Sequence, residues 1–249
     1  MRDCSINRSI GKSSQGGKVE AIALDFLRCG GKRLRPRLLR EVYGSIVRGG
    51  ADARSLDPLA EAVECFHKAS LIHDDIQDGD TERYGKPAIW AEHGIPLAIA
   101  VGDWLVATGY RLIAESGFPN RAEMLTATVR SHVRLCEGQG DELAGEGTYL
   151  SICERKTGEA FALAASLGAL AAGADDRAYR AWGLTFGVLF QVRDDKVDSG
   201  TTDELERLEH DYARRLAEFL FLQATTKNPI NQVNIDHTFL MQIYLVTQH

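Results

Sequence analysis

Proline is scarce. There are 6 in 249 residues, too few for a turn-rich β protein and in keeping with long helices. No clean alternating run and no Asn-Gly pair marks a hairpin. Paired cysteines are missing as well. The five cysteines, Cys4, Cys29, Cys65, Cys136 and Cys153, are odd in number and form no C-x-x-C. That excludes a disulfide framework and reads as a reduced, cytoplasmic protein. Cys65 and Cys153 fall in apolar helical patterns, where a thiol packs as a small hydrophobe. Basic charge is short too: 29 Lys and Arg stand against 35 Asp and Glu, a formal net charge of −6. There is no basic footprint for nucleic acid and no polybasic segment for an anionic membrane. The greasiest stretch, Ala160 to Ala174, is rich in Ala and Gly and too short to span a bilayer; it reads as a buried helix with close neighbours, so no membrane span is expected. Residues 1–18 lack an apolar core and carry Asp3, which argues against a signal peptide.

What is present is helix. Apolar residues recur at helical spacing over 19–28, 34–48, 58–78, 96–116, 121–137, 148–173, 177–198 and 203–223. Asp57-Pro58 is the clearest start signal, a cap followed by proline at the first helical position. Three segments follow: a polar N-terminus over 1–17, a helical domain over 18–224, and a divergent tail over 225–249. The tail is rich in Asn, Thr and Gln and then offers Phe239, Leu240, Ile243 and Leu245.

Acid is concentrated at two helix ends. The first reads Leu71-Ile72-His73-Asp74-Asp75-Ile76-Gln77-Asp78. Asp74 and Asp78 are four residues apart, so their carboxylates stack on one face about 6 Å apart along the axis. The second reads Phe190-Gln191-Val192-Arg193-Asp194-Asp195-Lys196-Val197-Asp198 and repeats the pair with Asp194 and Asp198. Both lie at C-terminal helix ends, where carboxylates oppose the macrodipole, and both follow apolar stretches. Such an arrangement, unfavourable twice over, calls for a counter-charge, and hard oxygen donors suit Mg²⁺. An EF-hand does not fit, since Ile76 and Gly85 occupy the third and twelfth positions from Asp74. A P-loop at Gly11-Lys12-Ser13 does not fit either, because Ile6 stands at the required first glycine. Glycines at 183 and 187 on the second helix predict open volume along that face.

Mg²⁺ held by few carboxylates keeps positions for substrate phosphates. Cations for a polyphosphate are at hand. Gly30-Gly31-Lys32-Arg33-Leu34-Arg35-Pro36 places three beside a glycine turn. Arg83 and Lys86 follow the first acidic cluster. Lys156-Thr157 interrupts an apolar helix, where a lysine is costly without an anion.

In this order, GGKRLRP, ECFHKASLIHDDIQDGD with a following GKP, Gly102-Asp103, Gly138-Gln139, Lys156-Thr157 and FQVRDDKVD resemble the motifs of the trans-isoprenyl diphosphate synthases, the polyprenyl synthetase family. The likeness covers about residues 28–198. It implies an all-α fold, a helical bundle around a deep central cavity, assembled as a homodimer. It implies a prenyltransferase that joins an allylic diphosphate to isopentenyl diphosphate. Asp74 and Asp78 on one wall and Asp194 on the other would be Mg²⁺ ligands, with Asp75, Asp195 and Asp198 as ligands or supports. Lys32, Arg35 and His67 would hold isopentenyl diphosphate. Arg83, Lys156, Thr157 and Gln191 would serve the allylic substrate, with Lys156 and Arg83 neutralising the leaving diphosphate.

Departures from the family pattern keep two other functions in view. Tyr84 stands where a second arginine is usual, which favours a terpene-cyclase-like enzyme that ionises an allylic diphosphate without condensing it. Lys196 stands where an apolar residue is usual. The Gly-Lys-rich loop expected after the second cluster is absent, which favours a non-catalytic or impaired subunit of a heteromeric synthase. If the growing chain follows the first helix backward from Asp74, it meets Ser70 and Ala69, both small, and then Phe66. One turn is about 5.4 Å, close to one isoprene unit, which predicts a product longer than farnesyl and points to geranylgeranyl diphosphate.

Overall fold

A computed structural model describes residues 17–47 and 56–225, with side chains other than those of 219–225. The polar N-terminus and the tail with its apolar segment at Phe239, Leu240, Ile243 and Leu245 lie outside the described residues. Within them the chain is helical, as the periodicity predicts: α1 (Lys18–Arg28), α2 (Leu34–Ile46), α3 (Asp57–Asp78), a hairpin of β1 (Glu82–Arg83) and β2 (Lys86–Pro87), α4 (Ile89–His93), α5 (Ile95–Ala114), α6 (Arg121–Leu143), α7 (Tyr149–Cys153), a π-helical turn (Glu154–Gly158), α8 (Glu159–Ala171), α9 (Arg177–Ser199) and α10 (Asp203–Thr225).

The chain divides into two compact units. Of the described residues, one unit comprises 17–36 and 56–121 and the other 37–47 and 122–225.

In the first unit α3 packs along α5, with α1 and α4 against the pair. Two glycines of α5 make that approach possible. A Cβ at Gly109 would lie 2.8 Å from the Phe66 ring, and one at Gly102 would lie 2.2 Å from His73 Nε2. Phe66 is wedged there, edge-on to Tyr110 with ring centroids 5.1 Å apart. The helix α3 begins at Asp57 itself, one residue earlier than the sequence suggests, with Leu56 preceding it. It stops at Gly79, whose φ of 73° lets its N–H reach back to the Asp75 carbonyl. Among the described residues one helix, Ile95–Ala114, is long and apolar enough to cross a membrane, with 44% of its most apolar window buried. The core helix of a soluble protein meets the same test.

The hairpin is absent from the sequence reading. Its strands are two residues long, too short for alternation to show. Its loop is Tyr84-Gly85, with φ of 57° and 71°, the doubly left-handed form that tight hairpins use. Tyrosine is an unusual occupant of the first position.

In the second unit α9 is the central element, flanked by α8, α10 and the π-helical turn. Phe161, Trp182 and Phe186 fill its core, with Trp182 and Phe186 stacked at 5.6 Å and Phe161 edge-on to Phe186 at 5.1 Å. Val188, Leu189 and Val192 of α9 meet Tyr212 of α10, with Leu205, Leu208 and Leu216 around them. Glu159 is fully buried; it takes two bonds from Arg180 Nη2, at 2.5 and 2.7 Å, one from Ser131 Oγ at 2.6 Å, and an ion pair with Arg134 at 3.1 Å. The glycines of α9 correct the expectation of open volume. A Cβ at Gly183 would lie 2.8 Å from the Phe161 carbonyl, and one at Gly187 would lie 2.8 Å from both Gly158 Cα and the Thr157 carbonyl. They are points of close backbone approach.

Candidate active site

The predicted site residues fall in both units. In the first, α3 delivers Asp74, Asp75 and Asp78 at its C-terminal turn, where Gly79 ends the helix. Asp74 is half-buried, Asp78 exposed, and Asp75 almost wholly buried. The hairpin accounts for Asp75: Arg83 Nε donates to its Oδ1 at 2.8 Å and Arg83 Nη2 to the same atom. That contact, ahead of any other, raises the guanidinium above its ordinary pKa. The middle aspartate therefore aims Arg83, and the outer pair occupies the solvent end of the helix.

Lys32 is exposed on the turn after α1, and Arg35 follows at the start of α2. Burial pulls the Arg35 guanidinium down to about 10, against the opposing influence of Glu64 and Tyr84. His67 is held well below the usual imidazole value, first by burial and then by the positive charges of Arg35, Lys68 and Arg83. It is a neutral imidazole amid cations. Arg33 pairs with Glu61 at 2.7 Å. Of the chain-length candidates, Ala69 is buried and Ser70 exposed, its hydroxyl donating to the His67 carbonyl at 2.8 Å. Phe66 is taken up by its contact with Gly109 and Tyr110.

The second unit repeats the pattern. Asp194 and Asp198 are exposed near the end of α9, and Asp195 is half-buried between protein donors. Tyr149 Oη donates to Asp195 Oδ2 at 2.5 Å, and Gln191 Nε2 donates to its Oδ1 at 2.8 Å. Gln191 Oε1 in turn accepts from Thr157 Oγ1 at 2.6 Å. Burial and then the Asp195 contact raise the Tyr149 phenol above its usual pKa, so it stays a donor. Lys156 and Thr157 sit on the π-helical turn, an irregularity frequent at functional sites. Lys156 Nζ donates to Glu142, and Arg155 Nη1 to Asp141 at 2.5 Å. Gly138 leaves room for Arg155, whose Cβ would lie 2.6 Å from an added Cβ. Lys196, anomalous in the sequence, bonds Glu209 of α10 at 2.7 Å beside Arg193 at 2.8 Å.

Sequence reasoning missed Lys68, Tyr149, Glu142 and Glu209. Lys68 carried a signal, since it interrupts an apolar stretch four residues after Glu64, the criterion that picks out Lys156. Tyr149 and Glu209 reach their partners through tertiary packing alone.

The polyprenyl synthetase family model matches residues 18–242. The chain belongs to the polyprenyl synthetase family. Among its curated relatives, the geranylgeranyl pyrophosphate synthase of Geoglobus acetivorans is 34% identical over 188 residues, 71% of this chain and 58% of the relative. Component 2 of the heptaprenyl diphosphate synthase of Geobacillus stearothermophilus is 34% identical over 205 residues, 77% of this chain and 62% of the relative. The match thus spans less than two thirds of the length of these curated relatives. Among solved structures, an isoprenoid synthase family member from Thermotoga neapolitana has a TM-score of 0.81 at 25% identity, covering 99% of this chain and 97% of that one. The all-α fold is that of the isoprenoid synthases.

Two carboxylates, a supporting arginine and hard oxygen donors suit an ion that leaves positions to water and phosphate. Among the described residues no group of three or more His, Cys, Asp or Glu side chains is arranged to hold a metal unaided. Hard carboxylate oxygens of this kind fit Mg²⁺, which keeps several waters and takes few protein ligands.

Proposed function

We propose that the chain is a Mg²⁺-dependent prenyltransferase that condenses an allylic diphosphate with isopentenyl diphosphate to a longer trans-polyprenyl diphosphate. The observation that carries this reading is the shared construction of the two acidic helix ends. In each, the middle aspartate is spent on protein partners, Asp75 on Arg83 and Asp195 on Tyr149 and Gln191. In each, an outer pair four residues apart lies toward solvent.

Asp74 and Asp78 of the first acidic helix end and Asp194 of the second are the ligands in this proposal, with Asp75, Asp195 and Asp198 as further ligands or supports. Bound Mg²⁺ would neutralise charge on the diphosphate as the allylic C–O bond breaks. Arg83, fixed by Asp75, and Lys156 take the same charge as it develops. Lys156 exchanges Glu142 for the substrate's phosphate oxygens. Thr157 and Gln191 orient that diphosphate. Lys32, Arg35 and neutral His67 hold isopentenyl diphosphate, whose double bond attacks the allylic cation; its proton then leaves to the released diphosphate. The protein supplies no nucleophile.

Small Ala69 and Ser70 ahead of Phe66 support a product longer than farnesyl, geranylgeranyl diphosphate in this reading. Two chains are proposed to form a homodimer, and the four free cysteines among the described residues, Cys29, Cys65, Cys136 and Cys153, suit the cytoplasm. One observation favours a second reading: the Geobacillus relative is a numbered component of its synthase, so this chain would be one subunit of a heteromeric enzyme. Incubation with Mg²⁺, farnesyl diphosphate and labelled isopentenyl diphosphate separates the readings. Longer labelled diphosphates support condensation. Unlabelled hydrocarbon or alcohol indicates ionisation alone, and no product from the isolated chain indicates a subunit.

A further inference from the structure

Lys68 lies in the apolar body of α3 with its side chain fully buried, 0% exposed. A buried ammonium is costly unless it is paired. Its Nζ donates to the Cys29 carbonyl at 2.6 Å and to Tyr84 Oη at 3.2 Å. It also lies 4.2 Å from the centroid of the Tyr84 ring and 4.8 Å from that of Phe26, within cation–π range. One lysine thereby joins α1, the turn that follows it, the hairpin tip and α3, all within the first unit.

The turn above it is built around this group. Gly30 and Gly31 have φ of 53° and 85°. A Cβ at Gly30 would lie 2.5 Å from the Tyr84 ring, and one at Gly31 would lie 3.6 Å from the Tyr84 hydroxyl and 3.9 Å from Lys68 Nζ. The glycine backbone therefore rests on Tyr84 and Lys68, and it leads directly into Lys32 and Arg35. Glu64, one turn before Lys68, faces Arg33, Lys68 and Arg35, and burial raises its pKa. With Glu61 paired to Arg33, three cations outnumber two carboxylates beneath the turn. That excess of positive charge favours an anion there.

We propose that Lys68 is the positioning residue of the Cys29–Lys32 turn and the source of the fixed positive charge that Tyr84 lacks, holding the turn as the seat of the isopentenyl diphosphate headgroup. This rests on the condensing reading above. The ammonium does not touch the diphosphate. It acts by fixing the turn that does, and Tyr84 is the spacer between them.

Calorimetric titration of the full chain with isopentenyl diphosphate, alongside steady-state kinetics, tests this. Lys68→Met should weaken isopentenyl diphosphate by about tenfold or more, the scale of a lost charged hydrogen bond, and leave the allylic KM within about twofold. Tyr84→Arg alone should give no gain, because it sets a second cation against Lys68. In the Lys68→Met background it should bring the affinity back to within about threefold of wild type. Lys68→Gln, which keeps a donor toward Cys29 without the charge, should fall between wild type and Lys68→Met, and it carries the comparison if the Met variant does not fold. Unchanged affinity in both Lys68 variants, while wild type binds, overturns the inference alone. So does a loss shared equally by both substrates and not rescued by Tyr84→Arg, which marks a merely structural lysine. A wild-type chain that binds no isopentenyl diphosphate takes down the condensing reading and this inference with it.

Discussion

Replacing Gly187 by alanine tests whether the helix α9 is held against the π-helical turn by backbone contact. In the interior of a helix, Gly→Ala ordinarily gains about 1 kcal/mol, because glycine costs more conformational entropy. At Gly187 the new methyl would meet Gly158 Cα and the Thr157 carbonyl at 2.8 Å and Phe161 Cβ at 3.0 Å. Comfortable carbon contacts lie near about 3.5–4.0 Å, so α9 or the turn must retreat by roughly half an ångström or more. Neither neighbour is a flexible side-chain end, and overpacking of this kind costs about 1–3 kcal/mol. The net expectation is a loss of stability of up to about 2 kcal/mol, opposite in sign to the usual substitution. The retreat also pulls Thr157 Oγ1 from Gln191 Oε1, now 2.6 Å apart, so the KM for the allylic substrate should rise. Gly140→Ala, where nothing lies within 4 Å, should leave stability unchanged or raise it by up to about 1 kcal/mol. Urea unfolding of the two variants and the wild type reads the signs. A Gly187→Ala protein as stable as wild type or more so would refute the claim of close approach.

Glu209 is held below its usual carboxylate pKa: burial acts against that, and the bonds from Lys196 and Arg193 overcome it. A depressed carboxylate contributes stability above its unfolded value and loses it as pH falls through the folded one. The stability gap between wild type and Glu209→Gln should therefore be full near neutrality, close as pH drops below about 4.5, and be visible in thermal melts across that range. Glu159→Leu should destabilise the second unit by about 1–3 kcal/mol, because the buried Ser131 hydroxyl loses its acceptor and the partly exposed Arg180 and Arg134 lose their shared carboxylate; a chemical-denaturation midpoint close to wild type would show that the network is not coupled to folding.

Helix positions were legible because the apolar spacing, the Pro58 start and the Gly79 stop are local signals. The aspartate pairs were legible for the same reason: their i, i+4 spacing survives into the structure unchanged. What the sequence hid was decided by distant packing. The π-helical turn exists where Gly158 and Gly187 let two backbones meet, and neither glycine announces the other. The division of labour between outer and middle aspartates depends on Arg83 and Tyr149, residues 8 and 46 positions away from their partners. Lys196 looked misplaced until Glu209 on the following helix supplied its counter-charge. Lys68 was visible as a lysine among apolar residues, but its partners Cys29 and Tyr84 come together only through the turn and the hairpin, and a hairpin of two-residue strands with tyrosine in a left-handed position leaves no sequence signature.

Turnover of Asp74→Asn and Asp194→Asn, measured at saturating farnesyl and isopentenyl diphosphates over a range of Mg²⁺ concentrations, bears most directly on the claim that these helix ends ionise an allylic diphosphate. Each substitution removes one charge and little volume. Each should lower kcat by about 10²-fold or more, the scale of a lost electrostatic stabiliser of a developing charge, and each should shift half-maximal activity to higher Mg²⁺. Wild-type turnover in either variant, or full activity of the unaltered chain in excess chelator, would contradict it.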